Sequence, residues 1–175
     1  IDKHILDLEM PILGLCYGHQ LIAQMVGGKV EPAEHREYGI AYAAIDKPVG
    51  VLKGLGKKEK VWMSHGDTVF SLPSEYEVLA HTENCPVASF RHREKPIYGL
   101  QWHPEVVHTE NGMKMLRNFI SEVCRCEANW KMEDIIEKMI EETRKEVGER
   151  KAIIALSGGI DSSVATALAA KALGD

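Results

Sequence analysis

With 175 residues, 45% hydrophobic and 27% charged, the chain has ordinary globular composition, long enough for one full core and part of another. Its net charge of -5 argues against a nucleic-acid binder, which needs a basic face. No apolar run is long enough to cross a bilayer and no signal-peptide pattern is present. With only four cysteines, Cys16, Cys85, Cys124 and Cys126, the expected setting is reducing and cytoplasmic.

Residues 1–10 read as the tail of a helix feeding Pro11–Leu15, a short apolar run that reads as a buried strand. The strand stops at Cys16-Tyr17-Gly18, and Gln20–Val26 reads as a helix closed by Gly27-Gly28. Cys16 therefore sits on a strand-to-helix turn between Gly14 and Gly18, the spacing of a nucleophile elbow with sulfur in place of a hydroxyl. The glycines let the backbone bend and the helix pack close to the strand. A helix N-terminus behind the thiol favours the reactive thiolate. Taken alone, a free cysteine at a strand end is more often buried and inert, so the sharper reading needs a base from elsewhere in the sequence.

Lys29–Pro32 and Tyr38–Ile45 read as short strands, with a polar turn through Glu34–Gly39. Gly50–Lys60 reads as a surface loop, Val61–Met63 as a short strand and Ser64–Asp67 as a turn. Glu77–His81, Ala88–His92 and Ile97–Trp102 read as three strands with turns at 84–86 and 93–96. His103-Pro104-Glu105 follows the last of them. A histidine and a carboxylate two apart can present an imidazole to Cys16 and orient it from behind, and Pro104 stiffens the link. His65 and Asp67 share that spacing, so spacing leaves two candidate bases, of which His103 follows the cleaner strand. Met113–Cys124 has helical spacing. Alternating strands and helices, a meander and a closing helix fit an open α/β sheet with its working residues at strand ends.

Near residue 127 the character shifts. Met132, Ile135, Ile136, Met139, Ile140 and Val147 form one apolar stripe on a charged helix that Gly148 stops; with Trp130 it reads as the first helix of a second domain packing on its own sheet, in preference to a docking face between domains. Lys151–Leu156 reads as a second buried strand. Ser157-Gly158-Gly159-Ile160-Asp161-Ser162-Ser163 and an alanine-rich helix, Val164–Leu173, come next. Strand, glycine turn and helix N-terminus make an anion cradle without the P-loop spacing. Asp161 either caps the helix or meets magnesium through water. Cys124 and Cys126 are spaced C-x-C with no second pair, so they read as structural thiols, and the histidines form no ligand pattern. Neither end reads as a domain boundary, so a fragment of a longer protein is expected, divided into 1–127 and 128–175.

CYGHQ followed by QWHPEV resembles the class I (triad) glutamine amidotransferase domain. WMSHGD at 62–67, TENCPVA at 82–88, CEANW at 126–130 and SGGIDSS at 157–163 narrow the resemblance to the glutamine-hydrolysing GMP synthase family, over nearly the whole sequence and in that family's order. The resemblance implies an α/β fold whose open sheet is mostly parallel. The first helix, strand, loop and helix of an adenine-nucleotide α-hydrolase-like domain would follow. It implies a glutamine-hydrolysing triad of Cys16, His103 and Glu105, with the Tyr17 backbone N–H as an oxyanion donor. It also implies an ATP pyrophosphate loop of Ser157, Gly158, Gly159, Ile160, Asp161, Ser162 and Ser163. The substrates implied are glutamine, XMP and ATP with Mg2+, for a cytoplasmic ligase of purine biosynthesis with no prosthetic group. It would be a homodimer through a C-terminal domain absent here, with no nucleic-acid or membrane partner, and no metal ligand is assigned. The first sheet strands, a second oxyanion donor and the XMP pocket are absent too. The 175 residues are therefore expected to hydrolyse glutamine poorly and make no GMP. The alternatives are the glutaminase half of another amidotransferase, against which SGGIDSS argues, and a non-catalytic derivative, against which Cys16, His103 and Glu105 argue.

Overall fold

The computed structural model describes residues 1–129 and 131–174. The chain divides into two units, Ile1–Cys126 and Glu127–Asp175. Trp130, beside the apolar stripe in the sequence, lies outside the described residues.

The first unit carries strands β1 (Ile12–Leu15), β2 (Lys29–Ile45), β3 (Lys58–Ser71), β4 (Tyr76–His81), β5 (Ser89–His92) and β6 (Ile97–Leu100), with helices α1 (Tyr17–Met25) and α2 (Gly112–Asn118). The strands form one sheet in the order β1-β6-β5-β4-β2-β3. Alternating residues feed two cores, as a pleated strand requires. Val61, Met63, Leu79, Leu100, Trp102 and Met115 cluster together. Ile22, Ala23, Val69, Tyr76, Phe90 and Ile97 form the second cluster. Trp102 is fully buried and its Nε1–H donates to Met115 Sδ at 3.2 Å, which pins the segment leaving β6. Burial of a side chain that size contributes on the order of 3 kcal/mol.

Among the described residues only β1 and β6 pair in parallel, while β2–β3, β2–β4, β4–β5 and β5–β6 are antiparallel. The α/β class holds, but the expected predominance of parallel pairs does not. Parallel neighbours need a long crossover, and β4, β5 and β6 follow one another through turns.

Other expectations change for similar reasons. Residues 1–10 hold a single 3-10 turn, Lys3–Asp7, capped by Asp2. The two short strands at 29–32 and 38–45 are one strand, β2, whose register with β3 shifts between Pro32 and Glu37. Ser64–Asp67 is not a turn: it lies inside β3, where Glu37 pairs with His65. The supposed surface loop at 50–60 contains a 3-10 turn, Gly50–Leu52, whose Val51 and Leu52 are fully buried. The helix expected to Cys124 gives way to a π turn, Phe119–Val123.

In the second unit, α3 (Met132–Val147) ends at Gly148 with φ +57°, and α4 (Ile160–Leu173) ends at Gly174 with φ +78°. Arg144 donates to the last carbonyls of α4, Nε to Ala172 O at 2.7 Å and Nη2 to Lys171 O at 3.2 Å, so a guanidinium from α3 closes the C-terminal end of α4. Residues 151–156 form no strand and are exposed, Ile153 to 98%. A parallel strand exists only by pairing, and this unit offers no second strand among its described residues.

Candidate active site

The elbow is built on β1. Leu15 is in register with Leu100 of β6, and the Cys16 N–H donates to Leu100 O at 2.8 Å. Cys16 then adopts φ +48° and ψ −103°, a conformation that costs a residue with a Cβ about 1–3 kcal/mol and clusters at functional sites. Gly14 is required here, since a Cβ would lie 2.6 Å from the Gly18 carbonyl oxygen and from Ile22 Cδ1. Gly18 is not required by packing, because its Cβ would meet nothing within 4 Å.

The sulfur is half-buried. Its hydrogen-bond partners among the described residues are the Ser64 carbonyl at 3.6 Å and the Gln101 amide nitrogen at 3.8 Å. Burial and the charge of Glu105 push the thiol above its usual value, outweighing the Tyr17 N–H and the Gln101 amide, which pull it down. The helix N-terminus thus does not by itself yield a thiolate, contrary to the expectation from sequence. Desolvation wins, and the thiol needs a base.

His103 follows β6. Its N–H donates to Trp62 O of β3 at 3.0 Å, and its carbonyl accepts from Thr109 Oγ1 at 2.6 Å. Its Nδ1 lies 2.6 Å from Glu105 Oε1. A carboxylate only accepts, so Nδ1 carries the proton, and in the neutral imidazole Nε2 then presents its lone pair. Among the described residues Nε2 takes no hydrogen bond. The ring is 27% exposed, so it can reach solvent or a substrate. Cys16 and His103 therefore leave the C-terminal ends of neighbouring parallel strands, both fastened to the backbone of β3.

His65, the rival base, has both ring nitrogens engaged. Nδ1 donates to Asp67 O at 2.8 Å and Nε2 faces Glu37 Oε2 at 3.1 Å, with only 2% of the side chain exposed. Thr82 Oγ1 donates to the other Glu37 oxygen at 2.8 Å. Burial raises Glu37, but hydrogen bonds from His65 and Thr82 and the charge of His65 hold its carboxyl below the ordinary range. Donor atoms of Glu37, His65 and Cys85 lie within 4.8 Å of one another. Glu37 and His65 satisfy each other, and burial pushes the Cys85 thiol up to about 12, so the cluster is a buried histidine–carboxylate hydrogen bond beside a neutral thiol. The Glu34–Gly39 stretch contributes Arg36, Glu37, Tyr38 and Gly39 to an open cavity of about 530 Å³, which touches neither Cys16 nor His103.

Three buried polar residues, His19, Gln20 and Gln101, carry no assigned task in the sequence reading. His19 is fully buried against Phe90, donates Nε2–H to Val87 O at 2.9 Å, and is held neutral by burial, at about 3. Gln20 donates to Asp67 O at 2.8 Å and to Gln101 Oε1 at 3.0 Å. The pattern H-Q after the elbow and Q before W-H was visible, but not the contact between its two amides.

In the second unit, Gly158 takes φ +81° and Gly159 caps α4 without a side-chain bond. Ser162 and Ser163 hydroxyls donate to Gly159 O at 3.0 and 2.9 Å, and Ser157 Oγ lies 3.0 Å from Ser162 Oγ. Asp161 lies in the first turn of α4. All seven loop residues lie at an exposed helix N-terminus except Ser162, which is half-buried.

Residues 1–123 match the family described as Glutamine amidotransferase class-I. The chain belongs to the class-I glutamine amidotransferase family. Residues 132–175 of this amidotransferase match the NAD synthase family. It is 53% identical to the glutamine-hydrolysing GMP synthase of Aquifex aeolicus and 49% identical to that of Brachyspira hyodysenteriae, each over 99% of this sequence. The 175 residues span 34% of the length of those relatives. A crystal structure from Thermoplasma acidophilum, described as that of a GMP synthase subunit, superposes with a TM-score of 0.68 at 36% identity, covering 78% of this protein and 65% of that one. A Thermotoga maritima glutamine amidotransferase shares the fold, with a TM-score of 0.55 at 20% identity over 99% of this protein and 66% of that one. Among the described residues no helix is long and apolar enough to cross a membrane.

Proposed function

We propose that the protein is the glutaminase part, with the opening of the ATP-binding part, of a glutamine-hydrolysing GMP synthase. The observation that carries this reading is the strained Cys16 elbow at the end of β1, with the His103–Glu105 pair following its parallel neighbour β6.

His103 Nε2 takes the proton of Cys16, whose raised thiol requires it. Glu105 holds Nδ1–H and so keeps the lone pair on Nε2. The sulfur attacks the side-chain amide carbon of glutamine, and the Tyr17 N–H donates to the resulting oxyanion. The C–N bond breaks as His103 returns its proton to nitrogen, releasing ammonia. His103 then takes a proton from water, which attacks the thioester, and glutamate leaves as Cys16 regains its proton.

Residues 1–127 carry that chemistry and 128–175 begin the second domain. There the Ser157–Ser163 loop offers helix N-terminal amides and serine hydroxyls to the phosphates of ATP, and Asp161, the one carboxylate of that loop, would meet the Mg2+ that accompanies ATP. In the whole protein, a cytoplasmic homodimer, ATP activates XMP for amination, giving GMP, AMP and pyrophosphate. These 175 residues by themselves make no GMP.

The test is mass spectrometry on the full-length protein after treatment with a glutamine-mimicking chloroketone. Labelling at Cys16 that glutamine suppresses is expected; no labelling in folded protein overturns the reading.

A further inference from the structure

The orientation of the Gln101 amide is fixed by its neighbours. Asp67 O is a carbonyl and can only accept, so the Gln20 group 2.8 Å from it must be the NH2. The same NH2 lies 3.0 Å from Gln101, which must therefore turn its oxygen to it. That leaves the Gln101 NH2 facing the Cys16 sulfur at 3.8 Å. His65 Nδ1 donates to the same Asp67 carbonyl at 2.8 Å, so both acceptor sites there are used. Gln101 is fully buried and Gln20 nearly so. Two buried amides would be a poor choice for packing alone, since each must find partners for every polar atom.

We propose that Gln101 is a positioning residue for Cys16, with its N–H held toward the sulfur by Gln20 so that it aims and stabilises the sulfur as negative charge develops there. A neutral donor facing an ionised sulfur favours the ionised form. Of the other groups facing the thiol, the Tyr17 N–H from α1 acts in the same sense. Glu105 opposes both, the Ser64 carbonyl of β3 accepts from the neutral thiol, and His103 stands beyond β6 as the base. Gln101 precedes His103 by two residues, yet its side chain hydrogen-bonds to Gln20 and Cys16 and, among the described residues, to neither His103 nor Glu105.

The inference rests on Cys16 being the reactive thiol. Its test needs no glutamine turnover, so it fails separately from the glutaminase reading. In full-length protein, the rate of iodoacetamide alkylation at Cys16 is followed against pH by mass spectrometry, with Cys126 in the same digest as the control whose rate does not change. Gln101→Met removes the donor at nearly constant volume. Its midpoint is expected about one pH unit higher than wild type, which is about tenfold slower alkylation at pH 7. Gln101→Glu places a charge there and is expected to raise the midpoint further. A role in packing alone predicts a lower melting temperature with an unchanged midpoint, and that result overturns the proposal. If neither variant folds, Gln20→Met decides, since it frees the Gln101 amide to rotate. A raised midpoint supports the proposal and an unchanged one overturns it.

Discussion

Gly112 is the residue whose replacement tests the geometry of the histidine most directly. It opens α2, and its N–H donates to Thr109 O at 3.2 Å. A Cβ built there would lie 1.9 Å from the Pro104 carbonyl oxygen and 2.8 Å from its carbon. Helix propensity alone favours alanine over glycine, by up to about 1 kcal/mol in a helix interior. The contact decides otherwise, because it must open from 1.9 Å to beyond 3.0 Å. The neighbour is backbone, so no side chain can rotate away. Pro104 stands between His103 and Glu105, and its shift of about 1 Å carries both. Misplacement on that scale costs on the order of a hundredfold in rate, and overpacking a buried position costs about 1–3 kcal/mol of stability. The assay is steady-state glutamine hydrolysis by the full-length enzyme, with a denaturant titration alongside. The expected result is kcat down about a hundredfold in protein that still folds, with Cys16 still alkylated by iodoacetamide. Unchanged kcat in folded Gly112→Ala would refute the link from α2 through Pro104 to the base.

Two further outcomes follow from charge. Glu105→Gln is expected to lower glutaminase kcat by about 10²- to 10⁴-fold, while Cys16 alkylates with a lower midpoint, because the charge that helps hold the thiol up is gone; a raised midpoint contradicts this. Glu77 is gripped by Lys47 at 2.5 Å and Arg91 at 2.8 Å, with Arg93 at 3.5 Å, and hydrogen bonds from Lys47 and then Arg91 take its carboxyl from 4.5 to about 2. A depressed carboxyl stabilises the fold above its unfolded value and loses that contribution as pH falls. Glu77→Gln should therefore flatten the loss of stability between about pH 4.5 and 2 in acid unfolding curves; an unaltered acid limb rejects the assignment.

What the sequence made legible was local. The apolar run, Gly14 and the following helix announce the elbow, because a strand-to-helix turn is written in adjacent residues. His103, Pro104 and Glu105 are equally local. Features that depend on a distant partner were misread. The Ser64–Asp67 stretch contains a glycine and reads as a turn, but its pairing with β2, some 28 positions away in the Glu37–His65 pair, makes it strand. Val51 and Leu52 sit among glycines and lysines, and only the core above them shows that they are buried. Lys151–Leu156 has strand composition and no strand beside it among the described residues. The Cys16 thiol was judged from the helix dipole, while desolvation, which needs the whole surroundings, had the larger effect.

β3 fastens this site through its main chain. Trp62 O accepts from the His103 N–H, Ser64 O from the Cys16 thiol, and Asp67 O from both Gln20 and His65. Side-chain identity at these three positions is irrelevant to that fastening, so Trp62, Ser64 and Asp67 can vary chemically while the strand keeps its function. Its alignment cannot vary. A slip of one residue moves each anchor by about 3.4 Å and turns alternate groups to the opposite face. Cys16, His103 and the amide pair would then come loose in a single event, which makes strand registry a common mechanical control over the whole centre.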